Sequence, residues 1–448
     1  MINIQYVWNT LKYTGKGIVV RINDDGVDIN NKEFEGNNKF DEKNSCKSFE
    51  PNVDDLDGHG TSVAGIVLGN ANNDFCSAGI AYDSTFSACN FFAKDVPYSS
   101  LAYKVNTFDI SQNSIGSPAC SAGQLTQGNN MDIDTIDALA TGVTEGRNGK
   151  GIVFVFASGN KFYEGEDINM SGWTNSRYTI TVGAVGKDGK HTDYSTPGAA
   201  LMVTGPAGDF NDVGHIITAG LGGTCANSGS GTSFSCPVVS GVIALMLEAR
   251  GELTWRDVQG IIASTSKKVK DSEDKSAQTN IAGVWHSDWY GFGIIDAKKA
   301  VNTALKWDLW SPEEQAMGIS DDEDKPIPNN GIEFVSELTV GSEYKGFISE
   351  SVVVLLDLQH YSRGDLKVTL ISPKGTQSVL HAGKRPEATQ TKGDQRWKLM
   401  TVRTWGEDPT GIWKLKLQDL VVDIDSTTAD SVNGFKNWKL TAYGRSDD

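Results

Sequence analysis

The chain has 448 residues, more than one compact core accommodates, and this length predicts two or three domains. A net charge of −17 excludes a basic phosphate-binding face, and with it nucleic acid, while suiting either an acidic cleft for basic substrates or solubility alone. No apolar run nears the roughly 20 residues of a membrane span, and six cysteines without a CxxC pair exclude a disulfide scaffold and a zinc or thioredoxin-like site.

The N-terminus, MINIQYVWNTLKYTGKG, has no secretory-signal pattern, so the chain reads as intracellular or as a mature, trimmed form. GIVVRINDDG (17–26) then reads as a buried strand ending in acidic turn residues, and GTSVAGIVLG (60–69) as a small-residue helix behind a histidine. FDISQNSIGS (108–117) and GIVFVFASGN (151–160) are apolar runs closing on Gly, Ser or Asn. Between them Ile133, Ile136, Leu139, Ala140 and Val143 have helical spacing. YTITVGAVG (178–186) is a further strand, and 237–251, 254–268 and 296–307 read as helices. Strands alternating with helices predict an α/β unit whose parallel sheet is covered on both faces. Ligands of such sheets sit beyond the carboxyl ends of the strands. Asp24 and Asn160 fall there, and the loop carrying His59 returns there.

Residues 311–331 are polar, acidic and proline-containing, and read as a linker or domain edge. After it come short alternating runs, among them EFVSELTV, DLKVTLISP and GIWKLKLQDL, separated by turn signals such as SPKGT and EDPTG. They predict an all-β sandwich of roughly 130 residues. The expected division is 1–307 for the α/β domain and 308–448 for the sandwich.

Four segments carry chemistry together: NDDG (23–26), DGHGTSVAG (57–65), ASGN (157–160) and GTSFSCP (231–237). Acyl transfer by serine needs a base for the hydroxyl proton, a carboxylate to orient that base, and donors for the tetrahedral oxyanion. One candidate of each type is present, in the order Asp, His, Ser. Each has a plainer reading: Asp24 and Asp25 as turn residues, Asn160 as a loop residue, His59 as a buried structural histidine, Ser233 as a helix cap. Their coincidence in one order favours the catalytic reading.

These motifs resemble those of the subtilisin-like serine proteases, and more particularly of the kexin/furin branch. GWTNSRYTITVGAV, IALMLEARGELTWRDVQGII and YGFGIIDA extend the likeness, and RGDLKVTLISPKGT, WGEDPTGIWKLKL and NWKLTAYG resemble a P (Homo B) domain. The resemblance implies a subtilisin-like catalytic domain followed by a β-sandwich P domain. It implies Asp24 as the orienting carboxylate, His59 as general base and then acid, and Ser233 as nucleophile. The Asn160 side chain and the Ser233 N–H would form the oxyanion hole.

Members of this branch cleave after paired basic residues, using acidic S1, S2 and S4 subsites. Asp25 matches the S2 aspartate, whereas Ser171, in SGWTN, stands where the branch has its S1-floor aspartate. SIGSPACSAG (114–123), whose Ser114 and Gly116 would face substrate, lacks the branch's acidic loop, and Thr196 stands for an expected glutamate. An unpartnered buried cation is costly, so strict selection for basic P1 is not expected from these positions. Glu164, Glu166 and Asp167 either substitute or form a solvated acidic loop; Trp173 either lines S4 or is a packed aromatic.

By the same resemblance GNANNDFCSAG (69–79) is a calcium loop, with Glu33 and Asn73 at ligand positions, and Cys76 and Cys225 occupy the branch's disulfide positions. That bridge would imply an oxidising, secreted or lumenal compartment. Cys46, Cys89, Cys120 and Cys236 are left without assigned partners, Cys236 reading as a buried small residue rather than a second nucleophile. Expected partners are protein or peptide substrates and a propeptide or chaperone, acting on a monomer with no membrane span. Two alternatives remain: a broad-specificity subtilase that kept the P domain, and a catalytically silent binding protein.

Overall fold

The computed structural model describes residues 1–446 apart from 37–38, 52–57, 117–132, 210–215, 228, 329–330, 361–362, 384–393 and 422–432. Cys120 and much of the 114–123 segment therefore lie outside the described residues. The first half alternates β1 (Val19–Asp24), α1 (His59–Leu68), β2 (Thr85–Asn90), β3 (Ile110–Asn113), α2 (Ile133–Gly149), β4 (Val153–Ala157), β5 (Thr179–Val185) and β6 (Val203–Pro206). The strands pair in parallel in the order β2-β1-β3-β4-β5-β6. β3, β4 and β5 are buried at every residue, as expected of strands covered on both faces.

A hairpin follows, β7 (Ile217–Gly220) and β8 (Thr224–Asn227), then α3 (Thr232–Ala249), α4 (Trp255–Thr265) and α5 (Ala297–Ala304). α3 runs through the main hydrophobic core. At 18 residues and a mean hydropathy of 1.5 it is long and apolar enough to cross a membrane by length and composition alone, but 83% of it is buried inside the protein. Most of its apolar residues and small hydroxyls are buried together, as suits a helix enclosed by the core.

The second half is two packed antiparallel sheets. β9 (Glu314–Ile319), β16 (Gly434–Ser446), β11 (Phe347–Gln359) and β14 (Asp394–Thr401) form one, in that order, with Lys325–Pro326 also pairing β16. β10 (Phe334–Val340), β15 (Gly411–Asp419), β12 (Leu366–Ile371) and β13 (Gln377–Ala382) form the other. Their alternate residues, including Trp397, Trp413 and Trp438, meet in a second core. The RGD tripeptide at 363–365 is a single 3-10 turn with Arg363 and Gly364 buried.

The segment 311–331 is not simply a linker. Its residues Glu314–Ile319 pair along β16 as an edge strand. Only Ala316 and Gly318 face inward there, so the outward Glu, Gln, Met and Ile conceal the two-residue period. β2 was also hidden, because TFSACN fills a strand buried on both faces with small polar residues.

Candidate active site

Asp24 is the last residue of β1, at the carboxyl edge of the parallel sheet. Its Oδ1 lies 2.6 Å from His59 Nδ1 and accepts the Asp25 N–H at 2.9 Å, while Oδ2 is buried without a hydrogen-bond partner among the described residues. The Asp24 side chain is 1% exposed and the His59 ring 31%, so the carboxylate is enclosed while the imidazole reaches solvent. His59 opens α1, and the next residue must be glycine: a Cβ on Gly60 would meet Gly26 O at 2.3 Å and Asp24 Cβ at 2.8 Å. That absence of a side chain lets the histidine helix approach β1.

Asp25 is buried, and its carboxylate accepts the N–H groups of His59 (3.1 Å) and Gly60 (2.7 Å). It thereby caps a helix whose N-cap residue, Gly58, has no side chain to do so. Burial first, and the neighbouring Asp24 charge second, push the Asp25 carboxyl up to about 6 despite these two donors.

Ser233 lies in the first turn of α3. Gly231 before it holds φ at +108°, and a Cβ there would sit 3.0 Å from Asn160 Nδ2. Pro237 has no N–H to bond the carbonyl of Ser233 four residues earlier, and that carbonyl instead accepts the Ser114 hydroxyl at 2.7 Å. The Ser233 hydroxyl in turn lies 3.3 Å from Ser114 O. The His59 ring packs edge-on against Phe234, the residue after Ser233, with centroids 5.8 Å apart. Asn160 follows β4, and its Oδ1 accepts both the N–H (2.8 Å) and the hydroxyl (2.9 Å) of Thr232. With the oxygen so held by Thr232, the amide NH₂, beside Gly231, is the end of Asn160 that can donate to a ligand.

Ser114, Gly116, Asn160, Ser171, Trp173 and Ser233 line one cavity of about 210 Å³. Thr196, Lys161, Glu166 and Asp167 complete much of its wall, and the Lys161 ammonium is paired with Glu164 at 2.8 Å. Trp173 is at once packed and lining: it stacks on Phe156 at 5.3 Å, with Tyr98 edge-on at 5.1 Å. Thr232 and Pro237 escaped sequence reasoning as site residues, although GTSFSCP places a hydroxyl before Ser233 and a proline four residues after it.

Glu33 and Asn73 form a separate locus. Glu33 is fully buried, its Oε1 has no hydrogen-bond partner among the described residues, and Asn73 Nδ2 is 3.5 Å from Oε2. Burial raises the Glu33 carboxyl above its ordinary range. Among the described residues no three His, Cys, Asp or Glu side chains cluster as metal ligands. Cys76 and Cys225 form a disulfide, and Cys46 and Cys89, which the sequence left unassigned, form another. Cys236 is free and buried, and burial pushes its thiol up to about 12, which leaves no thiolate for nucleophilic attack.

Residues 15–284 match the subtilase family model, and residues 349–442 match the proprotein convertase P-domain. The chain belongs to the subtilase family. This subtilase is 34% identical over 463 residues to human proprotein convertase subtilisin/kexin type 6, covering 99% of this chain and 46% of the relative. It is 32% identical over 467 residues to kexin of Saccharomyces cerevisiae, covering 100% of this chain and 54% of kexin. The chain thus spans about half the length of these curated relatives. The crystal structure of Aeromonas sobria serine protease in complex with its chaperone ORF2 shares the fold, with a TM-score of 0.82 at 19% identity, covering 97% of this chain and 89% of that one.

Proposed function

We propose that this subtilase is a serine endopeptidase that hydrolyses peptide bonds through an acyl-enzyme on Ser233. The observation that carries the reading is the 2.6 Å contact of Asp24 Oδ1 with His59 Nδ1, the His59 ring packing on Phe234, next to the Ser233 that lines one cavity with Asn160. His59 Nε2 takes the Ser233 proton as Oγ bonds to the scissile carbonyl carbon. The enclosed Asp24 carboxylate then faces an imidazolium and stabilises it. The carbonyl electron pair moves onto oxygen, which the Asn160 NH₂ and the Ser233 N–H receive. The imidazolium returns its proton to the leaving amine as the C–N bond breaks. Water repeats the sequence on the ester and frees Ser233. Replacing Ser233 by Ala is expected to abolish both peptide hydrolysis and fluorophosphonate labelling. Labelling that persists in S233A overturns the assignment, and a folded wild-type protein that never labels supports the silent binding protein instead.

The cavity reads as the S1 pocket. Ser171 and Thr196 offer no charge, and Glu166 and Asp167 supply carboxyls on the same wall, so a cationic P1 residue is the favoured occupant. Faster cleavage after Arg than after Leu, with the difference shrinking in Glu166→Gln, is the expected profile. A flat P1 profile indicates the broad-specificity alternative. Asp25 carries a preference for basic P2, and Trp173 forms part of S4.

The orphaned, buried Oε1 of Glu33 suits a hard cation that takes oxygen ligands. Glu33 and Asn73 are the residues proposed to hold calcium, which would tie the 69–79 loop to the body of the domain. The two disulfides support an oxidising, secreted or lumenal setting. The division between catalytic and P domains is placed at 307/308, the protein acts as a monomer on protein or peptide substrates, and its folding is assisted by a propeptide or by a chaperone like that of the Aeromonas protease.

A further inference from the structure

Among the described residues β14 lies at the edge of its sheet, paired to β11 on one side only. An open edge leaves alternate backbone groups without strand partners. Here the catalytic domain fills them with its own pocket loops. Asn169, fully buried, accepts the Met400 N–H at 2.8 Å and donates to Met400 O at 3.0 Å and to Leu380 O at 2.9 Å. Asn175 donates to Lys398 O at 3.0 Å and to the backbone oxygen of Asn169 at 3.0 Å. Just beyond the strand, Val402 N–H donates to Ala199 O at 3.0 Å. The alternating positions 398, 400 and 402 are therefore occupied in turn by Asn175, Asn169 and Ala199.

Those residues flank the cavity walls. Met170 and Ser171, which follow Asn169, line the cavity, and so does Thr196, three residues before Ala199. Met170 and Ala199 belong to the hydrophobic core of the β-sandwich, although both come from the catalytic half of the chain. In the other direction Met400, Val402 and Trp405 belong to the core built around α3. The two loops that shape the pocket are thus anchored on the sandwich edge as well as on the catalytic half, where Ile168 enters the main core, Thr196 N–H donates to Gly159 O at 2.9 Å and the Thr179 hydroxyl donates to Trp173 O at 2.8 Å.

We propose that Asn169 is a positioning residue for the P1 pocket, and that β14 of the P domain is the outer scaffold on which that pocket is set. The inference rests on reading the cavity as S1. Asn169 touches no reacting atom; it acts by fixing Met170 and Ser171 relative to Ser233. A site whose wall drifts by about 1 Å loses on the order of 10²-fold in rate, and the loss falls on substrates that fill the pocket.

The test is Asn169→Ala in the full chain, read by two reagents that use Ser233 differently. A small alkyl fluorophosphonate has no P1 side chain and reports Ser233, His59 and Asn160 alone. A peptide series varied at P1 reports the pocket. The expected result is labelling within about twofold of wild type, with peptide kcat/KM reduced about tenfold or more through KM and P1 discrimination flattened. Arg445→Gln, which removes a contact that holds Glu350 within the sandwich and so loosens the partner of Arg256 at the domain interface, away from the pocket, is expected to lower Tm and leave the P1 profile unchanged. The proposal is overturned if N169A keeps the wild-type P1 profile, if labelling and peptide cleavage fall in equal proportion, or if R445Q flattens the profile equally. Should N169A not fold, Asn175→Ser is read by the same criteria. Failure of the catalytic reading shows separately, as no labelling of the wild-type protein, and overturns both.

Discussion

At the scale of single residues, the two adjacent aspartates divide their work by what surrounds them. Asp24 accepts from His59 Nδ1, whereas Asp25 accepts backbone N–H groups at the start of α1 and is driven toward its neutral form. The folded value of about 6 lies above the ordinary 3.8, so between these values the folded state binds the extra proton and stability falls as pH rises through the window. Above about 6 Asp25 is a buried anion, the charge that the proposed basic P2 residue would neutralise. The ratio of kcat/KM for P2 Lys over P2 Ala is therefore expected to be high at neutral pH and to decline as pH falls through about 6, because kcat/KM reports the free enzyme. A ratio that does not change across that range contradicts a role for Asp25 in S2. Asn160→Ala is expected to lower kcat by about 10²–10³-fold, the scale of one lost oxyanion donor, with little change in KM.

At the scale of elements, long strands and helices with clear periods were readable from sequence, and so were strand-end residues such as Asp24 and Asn160. What sequence did not reveal has physical causes. β9 faces inward at only two small residues, and β2 is lined by Ser and Cys rather than branched apolar residues. The Cys46–Cys89 bridge depends on a loop folding back so that Cys46 N–H reaches Ala88 O at 3.0 Å, a contact no local pattern encodes. The orientation of Asn160 depends on Thr232, far along the chain. The loop at 69–79 brings its own prediction. Calcium is expected to raise Tm in the wild-type protein and to have little effect in Glu33→Gln, where the buried anionic ligand is gone. An equal rise in both proteins argues against Glu33 as a ligand.

At the scale of the whole molecule, the two halves are joined by buried polar contacts as well as shared cores. Arg256, from α4, donates to both oxygens of Glu350 on β11, at 2.8 and 2.6 Å, and Arg445 on β16 adds a third contact at 3.0 Å. Arg256 is 6% and Glu350 4% exposed. Arg256→Ala strips a buried carboxylate of its bidentate partner, which costs about 3–5 kcal/mol. A marked fall in Tm is expected, with the active-site geometry kept in the molecules that remain folded. An unchanged Tm contradicts the view that this ion group fastens the domains together. The same joining fastens the pocket loops to the P domain, since the Asn169 and Asn175 side chains satisfy backbone groups of the sandwich edge and Ala199 O accepts the Val402 N–H. The central claim, an acyl-enzyme on Ser233, is tested most directly by rapid mixing with an activated ester substrate followed by acid quench and peptide mass mapping. A stoichiometric burst is predicted, with the acyl mass on the peptide containing Ser233 and no burst in S233A; a burst whose adduct maps elsewhere, or hydrolysis undiminished in S233A, would contradict it.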